Sequence, residues 1–295
     1  MSASASTPST PSTPSSESSP SSPSSLSSPS SSSSAAAPSG VVARLRAAGC
    51  VFAEDEACLL VSAARSAAEL TAMVDRRVAG LPLEHVLGWA EFSGLRIAVD
   101  PGVFVPRRRT EFLVRRAAAL ARPGAVVLDL CCGSGALGAA LAAALGRAEL
   151  YAADIDPAAV RCARRNVAAA GGRVYEGDLY EPLPAALRGR VDVLLANVPY
   201  VPTEEVGLLP PEARIHEARV ALDGGADGLD VLRRVAAEAP GWLAPGGSLL
   251  VETSERQAAL AVETLASAGL TPRVSRSEEL YATVITGTRP PGRTA

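Results

Sequence analysis

The 295-residue chain contains no lysine, only two histidines, and few aromatic side chains: four Phe, five Tyr and two Trp. Its formal net charge is −3 at pH 7, so long-range attraction to nucleic-acid phosphates is weak, and only local clusters such as Arg107–Arg109 could supply it. The chain also has too few aromatic rings for an extended base-stacking surface. Five cysteines without C-x-x-C spacing predict neither a disulfide framework nor a zinc site. No apolar run reaches about 18 residues, so we expect no membrane span. These absences favour a cytoplasmic protein without a metal ion.

The first 40 residues differ in composition from the rest of the chain. They contain 21 Ser and 7 Pro, and Glu17 is their only charged residue. Such a stretch cannot bury enough apolar surface to offset the entropy of ordering its backbone, so we predict a disordered tail over residues 1–40. It lacks the basic start and the continuous apolar stretch of a signal peptide. The remaining residues are enough for one large domain, or for one domain with a small helical annex.

Apolar periodicity and chain-breaking residues divide the rest of the chain. Residues 41–82 are rich in Ala, Leu and Val, with charges at helical spacing, and they predict a helical annex. Residues 83–109 contain short apolar runs separated by Gly and Pro, which predict a hairpin-like connector. Strand-like and helix-like segments alternate over residues 110–288, which predicts a mostly parallel, doubly wound α/β sheet. We expect residues 289–295 to form a flexible C-terminus.

The strands and helices of this α/β region can be placed approximately. Besides one strand that ends just before Gly177, the predicted strands lie at 126–130, 150–153, 191–196, 248–252, around 274, and at 281–286. One predicted helix begins at Pro157, a residue type favoured at the first helical position. The others lie at 136–145, 226–243 and 255–268.

A glycine-rich loop follows the first strand of this region and leads into a helix. Gly133 and Gly135 let the backbone turn sharply and approach a ligand closely, and with Gly138 they match the G-x-G-x-x-G spacing of a dinucleotide site. A nicotinamide or flavin enzyme is therefore one alternative. Asp129, at the end of the strand, favours a different ligand, because its carboxylate would repel a pyrophosphate. It would suit S-adenosylmethionine, which carries an ammonium group, a sulfonium group and no phosphate.

Acidic residues also follow the next two predicted strands. Asp154 is placed to accept hydrogen bonds from both ribose hydroxyls of an adenosine cofactor. Asp178, followed by Leu179, lies where an adenine amino group could donate. A helix-capping role for Asp154 or Asp156 and a turn role for Asp178 are the alternatives. Three carboxylates at the carboxyl ends of successive strands favour the adenosine cofactor, because open α/β sheets bind ligands at that edge.

The motif Asn197-Val198-Pro199-Tyr200 follows the fourth strand. An amide or aromatic amine is hard to methylate, because its nitrogen lone pair is delocalised. The Asn197 side-chain oxygen and a neighbouring backbone carbonyl could accept both N–H hydrogens and direct the lone pair toward a sulfonium methyl group. Pro199 would fix the loop, and Tyr200 would offer a flat wall for a planar amide or base. In isolation the motif could equally be a strand-ending turn.

These motifs together resemble those of the class I S-adenosylmethionine-dependent methyltransferases. They resemble most closely the HemK/PrmC family of protein-(glutamine-N(5)) methyltransferases, which modify the Gly-Gly-Gln loop of peptide chain release factors. The resemblance extends from about residue 57 to residue 286. It is carried by segments 80–88, 91–94, 105–111, 129–135, 197–200 and 221–229.

The resemblance implies a Rossmann-like α/β fold with a mostly parallel seven-stranded sheet and a small N-terminal helical annex. It also implies S-adenosylmethionine as cofactor and a release factor as protein partner, and we expect a monomer without a nucleic-acid partner. The predicted catalytic residues are Asn197, Pro199 and Tyr200. The predicted cofactor-binding residues are Asp129, Gly133, Gly135, Asp154, Asp178, Leu179 and Asn197. The predicted substrate-binding residues are Asn197, Val198, Pro199, Tyr200, Arg107, Thr110 and Glu111.

The chain departs from the family pattern at four positions. Val198 replaces the first proline of the Asn-Pro-Pro-Tyr motif, and Cys131 replaces the first glycine of the cofactor loop. Arg108 and Arg109 replace a proline and an acidic residue of the connector motif. Two other functions remain open: methylation of an exocyclic amine on DNA or RNA, and a non-catalytic module that binds the cofactor. The acidic charge balance and the small number of aromatic residues count against a nucleic-acid substrate.

Overall fold

The computed structural model describes residues 39–291. The predicted disordered tail therefore lies outside the described residues, except for Ser39 and Gly40. These two residues belong to the first helix, so a tail that extends to residue 40 is too long by two residues. Most of the predicted flexible C-terminus likewise lies outside the described residues.

Four helices open the described part of the chain: α1 (Ser39–Ala47), α2 (Ala53–Ala63), α3 (Ala67–Val78) and α4 (Leu83–Leu87). They bury one apolar cluster that includes Leu45, Leu60, Val74 and Val86. Ser66 caps α3, because its side chain accepts a hydrogen bond from the Glu69 backbone N–H. The helical part thus extends to residue 87, beyond the chain break at Leu81-Pro82, and α4 lies inside the predicted connector.

A short antiparallel hairpin follows, with strands β1 (Trp89–Phe92) and β2 (Leu95–Ala98). Its turn contains Ser93 and Gly94, which both adopt positive φ angles (51° and 74°). The chain then runs through an irregular stretch and a single 3-10 turn (Arg108–Thr110) into helix α5 (Glu111–Leu120). Phe92 and Ile97 of the hairpin belong to the same buried apolar cluster as Leu113 of α5.

Seven strands form the main sheet: β3 (Ala125–Leu130), β4 (Ala148–Asp154), β5 (Arg173–Glu176), β6 (Val191–Ala196), β7 (Leu243–Thr253), β8 (Thr271–Ser277) and β9 (Ala282–Thr288). Their order is β5-β4-β3-β6-β7-β9-β8, and β9 is antiparallel to both of its neighbours. The predicted α/β fold with a mostly parallel seven-stranded sheet is confirmed. From β3 the chain continues to β4 and β5 on one side and returns to β6 on the other. The crevice for a ligand therefore lies at the carboxyl ends of β3 and β6.

Helices cover both faces of this sheet. They are α6 (Ala136–Leu145), α7 (Pro157–Val167), α9 (Asp230–Trp242) and α10 (Ala258–Ser267), besides α5. The short helix α8 (Pro211–His216) lies in the connection between β6 and β7. Alternate residues of β3 belong to two different apolar clusters: Leu128 to one and Val127 to the other. Every residue of β3 is buried, as expected for a central parallel strand. The sheet is therefore the middle layer of three. The loops at the carboxyl ends of its parallel strands are free to form a binding site.

Several predicted boundaries differ from the structure, and two of the differences have a local reason. The helix predicted from residue 226 begins at Asp230, because residues 224–229 form a tight glycine-rich turn. The apolar periodicity that predicts the helix does not show this turn. The last strand begins at Ala282 rather than Tyr281, which lies in a turn at φ 49° with its side chain exposed. Among the described residues no helix combines the length and the apolar character needed to cross a membrane.

Candidate active site

A cavity of about 400 Å³ opens at the carboxyl ends of the parallel strands, a size within the range of small-molecule sites. It brings together residues that lie far apart in the sequence. Of the predicted site residues, those that line it are Arg107, Thr110, Gly133, Asp154, Asp178, Leu179, Asn197, Val198, Pro199 and Tyr200. Several residues between positions 209 and 222 also line the cavity. Three predicted site residues, Asp129, Gly135 and Glu111, do not line this cavity.

The glycine-rich loop after β3 contains three residues with positive φ angles, a conformation that favours glycine. Gly133 and Gly135 have φ angles of 54° and 75°, and Cys131 has a φ of 52°. The left-handed region is costly for a residue with a Cβ, which explains physically why the family pattern has a glycine where Cys131 stands. No described atom lies within 4 Å of a Cβ built on Gly133, whereas one built on Gly135 would lie 3.1 Å from the Cβ of Ala163. Gly133 therefore faces the cavity, and Gly135 allows two elements to pack closely.

Asp129 lies beneath this loop, fully buried, and its Oδ2 accepts a hydrogen bond from the Gly138 backbone N–H (2.8 Å). Burial raises the pKa of Asp129 to about 8, although the hydrogen bond from Gly138 partly opposes the rise. Asp129 does not line the cavity, so its predicted role in binding the cofactor stays a prediction. The Asp129 carboxyl group ties the start of α6 to the end of β3.

Asp154, the last residue of β4, is held in a fixed orientation at the cavity. Its Oδ2 accepts from the Gly133 backbone N–H (2.8 Å) and its Oδ1 from that of Asp156 (2.9 Å). Burial raises the pKa of Asp154, and the two hydrogen bonds oppose the rise. Each oxygen keeps a lone pair with which to accept a hydroxyl hydrogen. The helix-capping alternative applies to Asp156, whose side chain accepts from the Ala158 N–H at the start of α7.

Asn197 follows β6 and lines the cavity. Its side-chain Oδ1 is buried and has no hydrogen-bond partner among the described residues. The Val198 carbonyl likewise accepts no hydrogen bond within residues 39–291. The Pro199 carbonyl is less available, because a Cβ built on Gly224 would lie only 2.6 Å from its oxygen. A buried acceptor without a partner is costly, so Asn197 is prepared for a donor that a ligand brings.

Tyr200 is fixed at the wall of the cavity by two side chains. Its hydroxyl donates to Glu252 Oε1 (3.0 Å) and accepts from Arg109 Nη2 (2.7 Å). Burial raises the pKa of Tyr200, so the phenol stays neutral at physiological pH. The Tyr200 carbonyl accepts from Gln257 Nε2 (2.9 Å), which also donates to the Asp227 carbonyl (2.9 Å). Gln257 thereby joins the 197–200 loop to the 221–229 segment.

Some residues of the connector line the cavity, and others fix the backbone around it. Arg107 Nη2 binds both carboxylate oxygens of buried Glu217 (2.6 and 2.7 Å), and the Val105 N–H donates to the same carboxylate. Thr110 lines the cavity with its hydroxyl buried and without a partner among the described residues. Glu111 instead accepts from the Ser93 backbone N–H (2.9 Å) and so fixes the hairpin turn. Glu111 does not line the cavity, and its predicted contact with a substrate stays a prediction.

Four residues that shape this site belong to none of the predicted site motifs: Arg234, Glu217, Glu252 and Gln257. Glu252 lies near the carboxyl end of β7, so the rule that identified Asp154 could have found it. Gln257 and Arg234 belong to no recognisable motif and are brought to the site by helix packing. The two histidines stay outside the lining. His85 is buried, with its Nε2 2.9 Å from the Val103 carbonyl oxygen.

The residues present fit an adenosine cofactor. Asp154 offers fixed acceptors for ribose hydroxyls, Asp178 offers an acceptor for adenine, and Gly133 leaves room for close approach of the ligand. Asp178 Oδ2 binds Arg234 Nη2 (2.6 Å), while its Oδ1 has no partner among the described residues. The thiols of Cys131 and Cys132 are not activated, because burial raises the pKa of both.

Comparison with known proteins agrees with this geometry. Residues 94–228 match the family model "Methyltransferase small domain". A "Release factor glutamine methyltransferase" of Geobacter sulfurreducens is 43% identical over 188 residues, which are 63% of this chain and 65% of that protein. A protein of the same name from Gloeobacter violaceus is 39% identical over 205 residues, 67% of this chain and 71% of that protein. The chain thus matches about two thirds of the length of these relatives.

Among solved structures, a methyltransferase from Pyrococcus furiosus aligns with 75% of this chain and 98% of its own, with a TM-score of 0.52. At 18% identity this likeness shows the fold alone. The relatives show more, because the protein from Gloeobacter violaceus is 39% identical to this chain over 71% of its own length. The chain therefore belongs to the family of the release factor glutamine methyltransferases, enzymes whose cofactor is S-adenosylmethionine.

Proposed function

We propose that the chain transfers a methyl group from S-adenosylmethionine to the side-chain amide nitrogen of a glutamine in the Gly-Gly-Gln loop of a peptide chain release factor. The observation that carries this proposal is the buried, unpartnered Oδ1 of Asn197 in the wall of the cavity. An acceptor of this kind needs a polarised N–H group, and a primary amide brings two. The names of the relatives support the choice of a glutamine and of a release factor.

The cofactor would lie along the carboxyl ends of β3, β4 and β5. Asp154 would hold the ribose hydroxyls and Asp178 the adenine amino group, while Gly133 would let the loop backbone approach the ligand. Bound there, S-adenosylmethionine supplies an electrophilic methyl group on a cationic sulfur. Asp129 would act through the loop that it fixes rather than by direct contact.

The acceptor amide would lie between the 197–200 loop and the cofactor site. Asn197 Oδ1 and the Val198 carbonyl would accept its two N–H hydrogens, which raises the electron density on nitrogen and orients its lone pair. The neutral ring of Tyr200 would support the amide plane. A strong general base is not required, because the proton leaves after the nitrogen has become cationic.

The kind of partner follows from the same site. We propose a protein substrate rather than nucleic acid, because the chain is acidic overall and the guanidinium groups of Arg107 and Arg109 at the cavity are paired with Glu217 and Glu252. The helical annex would contribute to holding that protein. We further propose that the enzyme acts as a monomer in the cytoplasm.

The decisive experiment incubates the protein with methyl-labelled S-adenosylmethionine and, in parallel, release factors, tRNA and DNA. We expect label on the glutamine of a Gly-Gly-Gln peptide, located by mass spectrometry. In Asn197→Ala we expect turnover to fall about 10²- to 10³-fold, as when a positioned hydrogen-bonding group is removed from an active site. The affinity for S-adenosylhomocysteine should fall much less than turnover does, because Asp154 and Asp178 are retained.

Two other results would replace the proposal. Label found only on nucleic acid would assign the Asn197 site to an exocyclic amine. Cofactor binding without transfer to any acceptor would indicate a non-catalytic module, above all if Asn197→Ala left the biological role of the protein intact. Asn197→Asp serves as the matched variant, because it keeps an acceptor oxygen at the same position and should retain more activity than the alanine.

A further inference from the structure

Two side chains from different elements meet at the adenine end of the cavity. Arg234 lies on α9 and Asp178 lies two residues beyond β5, and both line the cavity. Arg234 Nη2 is 2.6 Å from Asp178 Oδ2. The side chains are 55% and 32% exposed, so the pair is accessible to a ligand rather than sealed in the core.

The neighbouring arginine shows that this contact is specific to one position of the helix. Arg233 binds Asp227 and Asp230, the latter at 3.0 Å, and does not line the cavity. Both arginines are partly exposed to a similar degree, 46% for Arg233 and 55% for Arg234. Helix α9 therefore directs one guanidinium to its own N-terminal turn and the next to the cavity.

The contact is one-sided. Arg234 binds only Oδ2, and Oδ1 of Asp178 accepts no hydrogen bond from the described residues. A carboxylate held by one oxygen cannot rotate freely about its terminal bond, so the direction of the other oxygen is set as well. An adenine amino group needs one well-directed acceptor and carries no charge. Partial neutralisation of Asp178 by Arg234 thus costs such a ligand little.

We propose that Arg234 is a positioning residue for the cofactor base: it holds Oδ2 of Asp178 so that Oδ1 accepts from the 6-amino group of adenine. The inference rests on the proposed cofactor function and extends it to base selectivity. Arg234 acts through Asp178 and does not itself take part in methyl transfer. A 6-oxo purine presents an acceptor at the same place, which the fixed carboxylate would repel.

The test measures binding of S-adenosylhomocysteine and S-inosylhomocysteine to the full chain by calorimetry. We expect the wild-type protein to prefer the adenine compound by at least about tenfold, the range for a hydrogen bond to a charged group. In Arg234→Met the Kd for S-adenosylhomocysteine should rise about threefold to fivefold, the upper range for an exposed ion pair. The preference for adenine over hypoxanthine should fall at least about threefold as the carboxylate loses its fixed direction.

Three further variants separate positioning from a general structural effect. Arg233→Met is the matched control and should change neither Kd. Arg234→Lys keeps the charge and should restore part of the preference. In an Asp178→Asn background, Arg234→Met should have no further effect on selectivity, because the group through which Arg234 acts has been altered.

The outcomes also separate this inference from the proposed function. If the wild-type protein binds neither S-adenosylhomocysteine nor S-adenosylmethionine, the proposed function fails. If it binds and prefers adenine while Arg234→Met keeps the full preference, only the role of Arg234 is overturned. A tighter complex of Arg234→Met with S-adenosylhomocysteine would also overturn it, because it would mean that Arg234 competes with adenine for Asp178.

Discussion

Tyr200 and Glu252 are joined by a hydrogen bond in which the phenol donates to Oε1 at 3.0 Å. The carboxylate is 3% exposed, and its other oxygen, Oε2, has no partner within the described part of the chain. Arg109 completes the group, since it donates to both the phenol oxygen and Oε1. A strand residue of the core thus orients the last residue of the Asn-Val-Pro-Tyr loop, and the orientation of the acceptor wall depends on the sheet.

Replacing Tyr200 by Phe should test this dependence. The ring remains as a wall, but Glu252 loses a hydrogen bond while it stays buried, so we expect the free energy of unfolding to fall by about 1–3 kcal/mol. Urea unfolding followed by circular dichroism measures the change. Tyr281→Phe is the control, because that side chain is 92% exposed and its loss of a hydroxyl should leave stability unchanged. Equal stability of the two variants would show that the Tyr200–Glu252 bond does not stabilise the loop.

Arg77 connects the helical annex to the wall of the cavity. It binds Glu56 on α2 through two contacts (2.6 and 3.0 Å) and Glu212 on α8 at 2.6 Å, and Glu212 lines the cavity. Arg77→Met would leave Glu56 buried without its partner, so we expect a loss of about 3–5 kcal/mol in the free energy of unfolding.

The control for Arg77 is Arg65→Met, which removes an arginine 88% exposed and paired with Glu69 within one helical turn. That change should cost much less than Arg77→Met, because solvent already screens this exposed pair. Glu212→Gln removes only the half-exposed partner and should likewise cost little. If Arg77→Met lowered the free energy of unfolding as little as Arg65→Met does, the ion pair between Arg77 and Glu56 would not stabilise the fold.

Gly228 marks the closest packing behind the 197–200 loop. Its φ is 79°, and a Cβ there would overlap the Tyr200 carbonyl oxygen and Nε2 of Gln257. Gly228→Ala should therefore break the bridge that Gln257 makes to Tyr200 and Asp227, and should lower stability by about 1–3 kcal/mol. It should also reduce methyl transfer more than binding of S-adenosylhomocysteine. Gly207→Ala is the control, because no described atom lies within 4 Å of its built Cβ.

Sequence patterns were sufficient to predict the positions of residues that depend on local structure. A buried strand that ends in a glycine-rich loop predicts the β3–α6 turn, because only certain backbones allow that turn. The positions of Asp154 and Asn197 at the cavity follow from the rule that parallel strands end at one edge. The alternation of strands and helices along the chain likewise predicts a sheet with helices on both faces.

Other contacts depend on tertiary packing that no local pattern contains. Glu217 is polar and close to Arg214 in sequence, yet it is buried under Arg107, which lies 110 residues away. Asp129 precedes the loop as a ligand residue would, but the start of α6 takes up its carboxylate first. Gln257 reaches two backbone carbonyls because α10 packs close to α9. In each case the residue type allows several partners, and the fold selects one.

The buried carboxyl of Asp129 predicts a pH dependence of stability. Burial raises its pKa from an ordinary value of 3.8 to about 8 in the folded protein. Between about pH 4 and pH 8 the folded chain therefore holds a proton that the unfolded chain releases. The contribution of this proton to stability is fully present below about pH 4 and is lost as the pH rises through about 8.

Asp129→Asn removes this titration and keeps an oxygen that can accept from the Gly138 N–H. The free energy of unfolding of the variant, minus that of the wild type, should rise with pH across this window, by up to about 1.4 kcal/mol per pH unit for one proton. Urea unfolding of both proteins at several pH values measures the difference, in which the other titrating groups cancel. A difference that stays constant from pH 4 to pH 8 would show that Asp129 is ionised in the folded state. The Gly138 N–H would then stabilise the carboxylate enough to outweigh its burial.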